Sequence, residues 1–176
     1  MKATRARLLL VEDHPRIQKE LTAVLGQQFE VVAVVATASE AMAWLQANPQ
    51  GWDLAVVDIF LKQGNGYEVL RRCATRQPHQ AVVVLSNYTR EPARSSALAQ
   101  GAAAVFDKSM EMEEFLAYCT GRAAHQAADQ ATAALQKAST SAAQQVTTCR
   151  QGGVVAASKK NSHLAVAVSS PWKDVV

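Results

Sequence analysis

The sequence predicts an α/β fold with a doubly wound parallel sheet, and two observations support this. Short apolar runs alternate with amphipathic helical patterns five times between residues 7 and 118. The runs are continuously apolar, which is typical of parallel strands buried on both faces. Right-handed crossovers between such strands place helices on both faces of the sheet. We therefore expect a five-stranded parallel sheet in the order 2-1-3-4-5.

The first two strand–helix units have recognisable start and stop signals. The first strand is the apolar run 8–11, and Pro15 marks the first turn of the helix after it. The second strand is the β-branched run 31–35. Thr37 or Ser39 caps the second helix, because a short hydroxyl side chain can accept a hydrogen bond from a free backbone amide. An Asn-Pro pair ends this helix.

The remaining three units show the same alternation. We predict strands at 54–57, 82–85 and 103–106 and helices at 67–76, 91–100 and 110–118. Two glycines before Tyr67 supply turn geometry. Pro92 lies at the start of the fourth helix, and Gly101 ends it.

The composition changes near residue 121. Residues 1–121 hold 12 Lys/Arg and 13 Asp/Glu, a net charge of −1, whereas residues 122–176 hold 6 and 2, a net charge of +4. The second part is rich in Ala, Gln, Ser and Thr and shows neither a helix-turn-helix pattern nor a second core. We predict one domain at 1–121 and a low-complexity tail at 122–176, which is partly helical and then disordered beyond about residue 145.

Composition also bounds the class of protein. No apolar stretch approaches the roughly 20 residues that span a membrane, and the apolar run after the basic N-terminus is too short for a signal peptide. The three cysteines are an odd number and form no CxxC motif, which argues against a disulfide framework. We therefore expect a cytoplasmic protein.

Polar side chains come directly after four of the predicted strands. Glu12 and Asp13 come after the first strand, Asp58 after the third, Ser86 after the fourth and Lys108 after the fifth. Because the carboxyl ends of parallel strands meet at one edge of a sheet, we expect these side chains to converge.

Their chemistry suits a metal ion and a phosphoryl group. Mg²⁺ prefers oxygen ligands and keeps several waters, so Asp13 and Asp58 could bind it directly and Glu12 through a water. Asp58 could then accept a phosphoryl group as an aspartyl phosphate. The Lys108 ammonium and the Ser86 hydroxyl would stabilise the charge on the phosphoryl oxygens.

The motifs resemble the receiver domain of two-component response regulators over residues 6–120. They are Leu-Leu-Val-Glu-Asp-His at 9–14, Val-Val-Asp-Ile at 56–59, Val-Leu-Ser at 84–86 and Phe-Asp-Lys at 106–108. The resemblance implies that the phosphoacceptor is Asp58, the acidic metal pair is Glu12 and Asp13, the switch hydroxyl is Ser86, the phosphate-contacting lysine is Lys108, and a further metal ligand is the backbone carbonyl of Phe60.

Some positions depart from the family pattern. Val105 stands at the switch position where Tyr or Phe is common, so the usual aromatic coupling to the surface of the fourth and fifth helices is not expected. Asn87 stands where a small residue is usual, and could crowd the phosphate or position a water. Ser109 replaces a proline whose peptide bond is often cis.

The resemblance implies a signalling module and not an enzyme with an external substrate. It would take its phosphoryl group from a histidine kinase or phosphotransfer protein, dephosphorylate itself, signal through protein–protein contact and could form a homodimer on phosphorylation. The alternative is a transcriptional regulator whose DNA-binding output is missing, truncated or located in the basic tail. A metal-dependent phosphatase is disfavoured, because such enzymes usually need a second aspartate where this chain has Phe60.

Overall fold

The computed structural model describes the backbone of residues 5–148 and the side chains of residues 5–136. The chain divides into two compact units, Met1–Gln136 and Lys137–Val176. Of the second unit only helical backbone to Thr148 is described, so the disorder predicted beyond about residue 145 falls almost wholly outside the described residues.

The first unit contains the expected five-fold alternation of strands and helices. The elements are β1 (Arg7–Val11), α1 (Pro15–Leu25), β2 (Glu30–Val35), α2 (Ala38–Ala47), β3 (Leu54–Val57), α3 (Gly66–Arg72), a 3-10 turn (Cys73–Thr75), β4 (Ala81–Ser86), α4 (Ala93–Ala99), β5 (Ala104–Asp107) and α5 (Met112–Thr148). All the strand pairs are parallel, and the order is β2-β1-β3-β4-β5. The predicted doubly wound fold is therefore confirmed.

Two hydrophobic clusters cover the two faces of the sheet. Leu9 and Val11 of β1 lie in the cluster that contains buried residues of α2, α3 and α4. Leu8 and Leu10 lie in the other cluster, with buried residues of α1 and α5 such as Phe115. Side chains alternate between the faces of a strand, so one apolar run serves both clusters. This explains why the central strands are apolar throughout.

The helix boundaries depart from the sequence prediction in three places. Helix α3 ends at Arg72 and passes into a 3-10 turn, which the sequence analysis had included in the helix. Helix α4 begins at Ala93, because Pro92 occupies the cap position. Helix α5 starts two residues later than predicted and continues to Thr148, since the Ala- and Gln-rich sequence has a high helix propensity.

The cap of α2 resolves one of the alternatives left open by the sequence. The Thr37 hydroxyl accepts from the Glu40 amide, and the Glu40 carboxylate accepts from the Thr37 amide. This reciprocal capping box assigns the cap to Thr37 and not to Ser39.

At the amino-terminal edge of the sheet, Asp53 forms a buried ion pair with Arg7. The carboxylate is 3% exposed and accepts from the Arg7 backbone amide at 2.7 Å and from its guanidinium Nε and Nη2 at 3.1 Å each. His79 Nε2 lies 3.6 Å from the same carboxylate. Asp53 therefore joins the start of β1 to the start of β3.

No helix in the part of the chain that the structure describes is long and apolar enough to cross a membrane.

Candidate functional site

Asp58 lies directly after β3, at the carboxyl edge of the sheet. Its backbone amide donates to the Val11 carbonyl at 2.9 Å, which extends the β1–β3 ladder by one residue. Gly66, at the start of α3, packs closely against it: a Cβ there would lie 2.2 Å from the Asp58 carbonyl oxygen. Only glycine fits this approach, so the loop of residues 59–65 closes tightly beside the carboxylate.

The Asp58 carboxylate is 7% exposed and is contacted by three donors. The Ser86 hydroxyl donates to Oδ1 at 2.7 Å, and the Phe60 backbone amide donates to the same oxygen at 3.0 Å. The Lys108 ammonium donates to Oδ2 at 2.5 Å. Both oxygens of Asp58 therefore meet groups that can stabilise negative charge.

Lys108 contacts two carboxylates at once. Its Nζ lies 2.5 Å from Asp58 Oδ2 and 2.5 Å from Glu12 Oε2. Burial acts to lower the pKa of Lys108, but the hydrogen bonds and charges of Asp58 and Glu12 outweigh it and raise the pKa above its ordinary value. The side chain is therefore a fixed cation at neutral pH.

Three carboxylates share this edge with a single buried lysine. Oxygens of Glu12, Asp13 and Asp58 lie within 4.8 Å of one another. With Lys108, these groups carry a formal charge of −3 plus +1, or −2. Asp13 Oδ2 also accepts from the Lys62 amide at 3.0 Å, and the exposed Lys62 ammonium lies 3.8 Å away. An oxygen-rich, negatively charged cluster of this kind fits a hard divalent cation such as Mg²⁺.

The structure thus brings together the five side chains that the sequence singled out. They are Glu12, Asp13, Asp58, Ser86 and Lys108. The Phe60 amide contacts Asp58, while the role of the Phe60 carbonyl as a metal ligand stays a prediction.

Val105, at the expected switch position, is 4% exposed and lies in the cluster packed on α2, α3 and α4. Phe106 lies on the opposite face, where its ring contacts Phe115 and Tyr118 at centroid distances of 5.8 and 5.7 Å. Position 105 therefore holds a small, buried aliphatic side chain where the resemblance led us to consider an aromatic switch residue.

Two charged side chains contact the backbone of β5. Arg94 of α4 donates to the Val105 carbonyl at 2.9 Å and forms an ion pair with Glu111. Glu111 also accepts from the Asp107 amide at 2.8 Å. The sequence analysis missed both Arg94 and Glu111, because charged residues near helix starts carry no signal for contacts across different elements.

Asp107 ends β5 and organises the start of α5. Its carboxylate accepts from the Ser109 and Met110 amides at 2.8 and 3.2 Å and from the Thr89 hydroxyl at 3.0 Å. The Ser109 amide hydrogen bond is the largest of several effects that lower the pKa of Asp107. An aspartate shortly before a predicted helix is a capping signal.

Asn87 and Ser109, two of the positions that depart from the expected pattern, lie beside each other. The Ser109 hydroxyl lies 3.4 Å from Asn87 Oδ1, and both residues are exposed. The one cis peptide bond of the described residues joins Glu91 and Pro92, so the bond after Lys108 is trans.

A pair of aromatic rings near the site was also missed. Phe60 and Tyr88 contact each other with ring centroids 4.8 Å apart. Nothing in the sequence pattern pointed to this contact, because each residue lies in a loop after a different strand.

Comparison with known families gives one match that covers most of the first unit. The family model for the response regulator receiver domain matches residues 8–120.

Curated relatives include a transcriptional activator and a methylesterase. The chain is 32% identical over 107 residues to the DNA-binding transcriptional activator DevR/DosR of Mycobacterium tuberculosis, covering 60% of this chain and 48% of the relative. It is 28% identical over 172 residues to protein-glutamate methylesterase/protein-glutamine glutaminase 2 of Hahella chejuensis, covering 89% of this chain and 46% of the relative. The chain thus spans about half the length of these relatives.

The fold is shared with solved structures. The response regulator domain of Thermotoga maritima CheB superposes with a TM-score of 0.57 at 22% identity, covering 70% of this chain and 96% of that domain. At this identity the likeness shows the fold alone.

Proposed function

The chain belongs to the response regulator receiver domain family, and on that premise we propose that it accepts a phosphoryl group on Asp58 from a histidine kinase or phosphotransfer protein. In this step an Asp58 carboxylate oxygen forms a bond to phosphorus. The phosphorus–nitrogen bond of the donor phosphohistidine breaks, and its electron pair returns to the imidazole nitrogen. The product is an aspartyl phosphate that changes the affinity of the domain for a protein partner.

One observation carries this proposal. A buried carboxylate at the sheet edge meets the Ser86 hydroxyl at 2.7 Å and the Lys108 ammonium at 2.5 Å, with two further carboxylates beside it. The ordinary structural role for a buried aspartate needs one cation or cap, and does not need two extra carboxylates at the same point. The arrangement is instead suited to a site that gains a cation and a phosphoryl group together.

Each side chain has a distinct role in the proposed transfer. Ser86 and Lys108 donate to Asp58 before transfer. In the proposed transfer they would donate to the phosphoryl oxygens and stabilise the charge of the transition state. Glu12 orients Lys108 through their ion pair. Asp13 and Asp58 would hold Mg²⁺, with the Phe60 carbonyl as a third protein ligand. When bound, the ion neutralises charge on the phosphoryl oxygens.

The site favours signalling over turnover of external phosphate esters. Position 60, two residues after the acceptor, holds Phe60, which offers no side-chain acid or base to protonate a leaving group. The output then passes through a change at Ser86 and the adjoining surface, where Val105 is buried and Arg94 bridges to β5.

Acetyl phosphate with Mg²⁺ tests the assignment without knowledge of the partner. We expect intact-protein mass spectrometry to show a single added phosphate, which Asp58→Asn removes and EDTA prevents. Asp107→Asn is the matched control, because that carboxylate is nearby but bonds to Thr89 and to backbone amides. Phosphate that persists on Asp58→Asn, or is lost equally from Asp107→Asn, would contradict the proposal.

A second candidate function, a transcriptional output, is favoured by the similarity to the DNA-binding transcriptional activator of Mycobacterium tuberculosis. In this chain the DNA contact would come from the tail 122–176, with its net charge of +4. Such binding should be independent of sequence and should fall steeply between about 50 and 200 mM salt. Absence of binding to duplex DNA at low salt would eliminate this candidate.

A further inference from the structure

A surface pocket of about 580 Å³ lies between the end of α3 and the end of α4. Its walls include Arg71 of α3, Arg76 after the 3-10 turn, and Gln100 and Gly101 after α4. Pockets that bind small molecules in proteins typically have volumes of about 300–1,000 Å³. The pocket is therefore large enough for a small organic molecule.

The pocket lies at the amino-terminal edge of the sheet, opposite the edge that carries Asp58. Gln80, which lines the pocket, directly precedes β4, and Gly101 comes three residues before the start of β5 at Ala104. Asp58, in contrast, directly follows β3. Because the strands are parallel and rise about 3.3 Å per residue, a ligand in this pocket is separated from the acceptor carboxylate by the length of a strand.

The pocket carries an excess of positive charge. Arg71 and Arg76 give its lining a formal charge of +2, and no Asp or Glu lines it. Neither guanidinium forms an ion pair with a carboxylate of the described residues. Arg71 instead donates to the neutral Gln100 Oε1 at 3.2 Å. Since guanidinium groups bind phosphate through two parallel hydrogen bonds, this charge favours an anionic, phosphate-bearing ligand.

Arg76 is held in place by backbone carbonyls from three segments. Its Nε donates to the Gln80 carbonyl at 3.1 Å, its Nη1 to the Cys73 carbonyl at 3.1 Å and its Nη2 to the Gly101 carbonyl at 2.9 Å. A guanidinium has five N–H groups, so these bonds leave one N–H on each terminal nitrogen for a ligand. A cation fixed in this way loses little side-chain entropy when an anion binds.

The rest of the lining is small and uncharged. Ala74, Pro78 and Ala99 provide apolar walls, and Gln77 and Gln100 provide amide groups that both donate and accept hydrogen bonds. Apolar walls with a few convergent polar groups are typical of small-molecule sites. The lining thus suits a ligand that joins a phosphate group to an uncharged organic part.

We propose that this basic pocket binds a small organic phosphate of nucleotide size. Its phosphate groups contact Arg71 and Arg76, and its uncharged part lies against the apolar walls. Binding replaces the contact of Arg71 with a neutral amide by a stronger, charge-assisted contact. The site does not depend on the proposed phosphorylation of Asp58, because it lies at the other edge of the sheet.

Calorimetric titration of the full chain, in phosphate-free buffer with EDTA, tests the proposal. The probes are ADP, inorganic phosphate and adenosine. We expect one saturable site that binds ADP at least about tenfold more tightly than inorganic phosphate, because ADP adds a second phosphate group and an organic part. Adenosine, which carries no charge, should bind at least about tenfold more weakly than ADP.

Substitutions at two neighbouring arginines locate the anion. Arg71→Gln should weaken ADP binding about tenfold, the size expected for one charge-assisted contact. Arg72→Gln is the matched control, because Arg72 is also exposed and also lacks an ion pair among the described residues, but does not line this pocket. It should change the affinity less than about twofold. Equal weakening by the two variants would indicate a general effect of surface charge and would overturn the proposal.

A second matched pair tests the pocket wall without removing any contact. Ala99→Glu places a carboxylate at the wall and should remove measurable ADP binding by repulsion, whereas Ala99→Gln, of the same size, should retain it. Because Arg71 and Ala99 are both exposed, we expect these variants to keep the unfolding midpoint of the original chain. Arg76 is left unchanged, since its guanidinium also joins three segments of the backbone.

Three outcomes would overturn the inference on the unmodified chain or at the acceptor. They are no saturable ADP binding up to about 10 mM, inorganic phosphate or adenosine that binds as tightly as ADP, and loss of ADP binding in Asp58→Asn. The last would place the anion at the carboxyl edge of the sheet. Retained affinity in Asp58→Asn supports a separate site, and this result is independent of whether acetyl phosphate modifies Asp58.

Discussion

Strand β3 carries a buried aspartate at each end, and the two are neutralised in different ways. At the amino end, Asp53 meets the Arg7 guanidinium at two nitrogens and the Arg7 amide at one. The pair is balanced in charge, and its fork geometry leaves no carboxylate oxygen unused. The Asp53 carboxylate therefore has a structural role, with its charge and both of its oxygens already satisfied.

At the carboxyl end, Asp58 shares the Lys108 ammonium with Glu12, and Asp13 adds a third carboxylate nearby. The formal charge of this group is −2, whereas that of Asp53 with Arg7 is 0. A lysine ammonium is a compact charge on a flexible stem, so it can move toward a new anion more readily than a guanidinium held in a fork. The comparison indicates that under-neutralisation, and not burial, distinguishes the carboxylate that we propose as the phosphoacceptor.

Matched substitutions at the two ends of β3 test most directly whether Asp53 and Asp58 contribute differently to stability. We expect Asp53→Asn to lower the free energy of unfolding by about 3 kcal/mol, because hydrogen bonds to a charged group are lost and Arg7 keeps an unbalanced charge. Asp58→Asn should cost less than about 1 kcal/mol or stabilise the fold, since one of three crowded carboxylates loses its charge and Lys108 keeps Glu12. Urea denaturation checks both, and equal losses would refute the contrast.

Binding of Mg²⁺ provides a second test, with a somewhat smaller expected change in the free energy of unfolding. A site with excess negative charge should gain stability from the ion, by about 2.7 kcal/mol at a free concentration about 100 times its Kd. Asp53→Asn should keep this increment, whereas Asp13→Asn should lose most of it. Thermal unfolding with and without MgCl₂ measures the effect. An increment that depends on Asp53 would show that the ion acts elsewhere.

The smallest expected effect is the loss of stabilisation by the Lys108 ion pairs at alkaline pH, which occurs over a narrow pH range. The pKa of Lys108 is raised above 10.5 in the folded chain, so its ion pairs stabilise the fold fully below pH 10.5, and this contribution is lost as the pH rises through the folded pKa. The stability difference between the original chain and Lys108→Met should therefore shrink above pH 10.5. The corresponding difference for Arg7→Met should persist, because the guanidinium stays charged.

The pH experiment compares stability differences between variants, because two buried cysteines also titrate in the alkaline range. Burial raises the pKa of Cys73 to about 11 and that of Cys119 to about 12. The unfolded thiols ionise at lower pH than the folded ones, which weakens every variant alike as the pH rises. Subtracting one variant from another removes this common contribution. A Lys108 difference that stays constant to about pH 12 would contradict the prediction.

Local signals were sufficient for most of the fold. Every predicted strand overlaps its observed counterpart to within about two residues at each end, because an apolar run bounded by turn residues limits where a buried strand can lie. Thr37 was one of two candidate caps and is the one used. The apolar pattern of the last helix covered only 110–118, and further helix was expected in the Ala- and Gln-rich tail. Helix α5 continues to Thr148, since Ala and Gln propagate a helix without an apolar pattern.

For the site, too, part could be predicted from the sequence and part could not. That Asp13, Asp58, Ser86 and Lys108 would converge could be predicted from their places directly after strands, because parallel strands present their carboxyl ends at one edge. The partners of each group could not be predicted in this way. Arg7 and Asp53 are 46 residues apart, and Glu12 and Lys108 are 96 apart.

The sequence by itself determined the sheet, its strand order and the set of side chains at its carboxyl edge, since these depend on hydrophobic period and on the topology of parallel strands. Only the tertiary structure decided which carboxylate shares Lys108, how Arg94 and Glu111 bridge to β5, and that Phe60 meets Tyr88. The physical reason is that these contacts join loops and helix ends far apart in the chain. Their geometry is set by the packing of whole elements and by where each side chain can reach a partner, which no local pattern encodes.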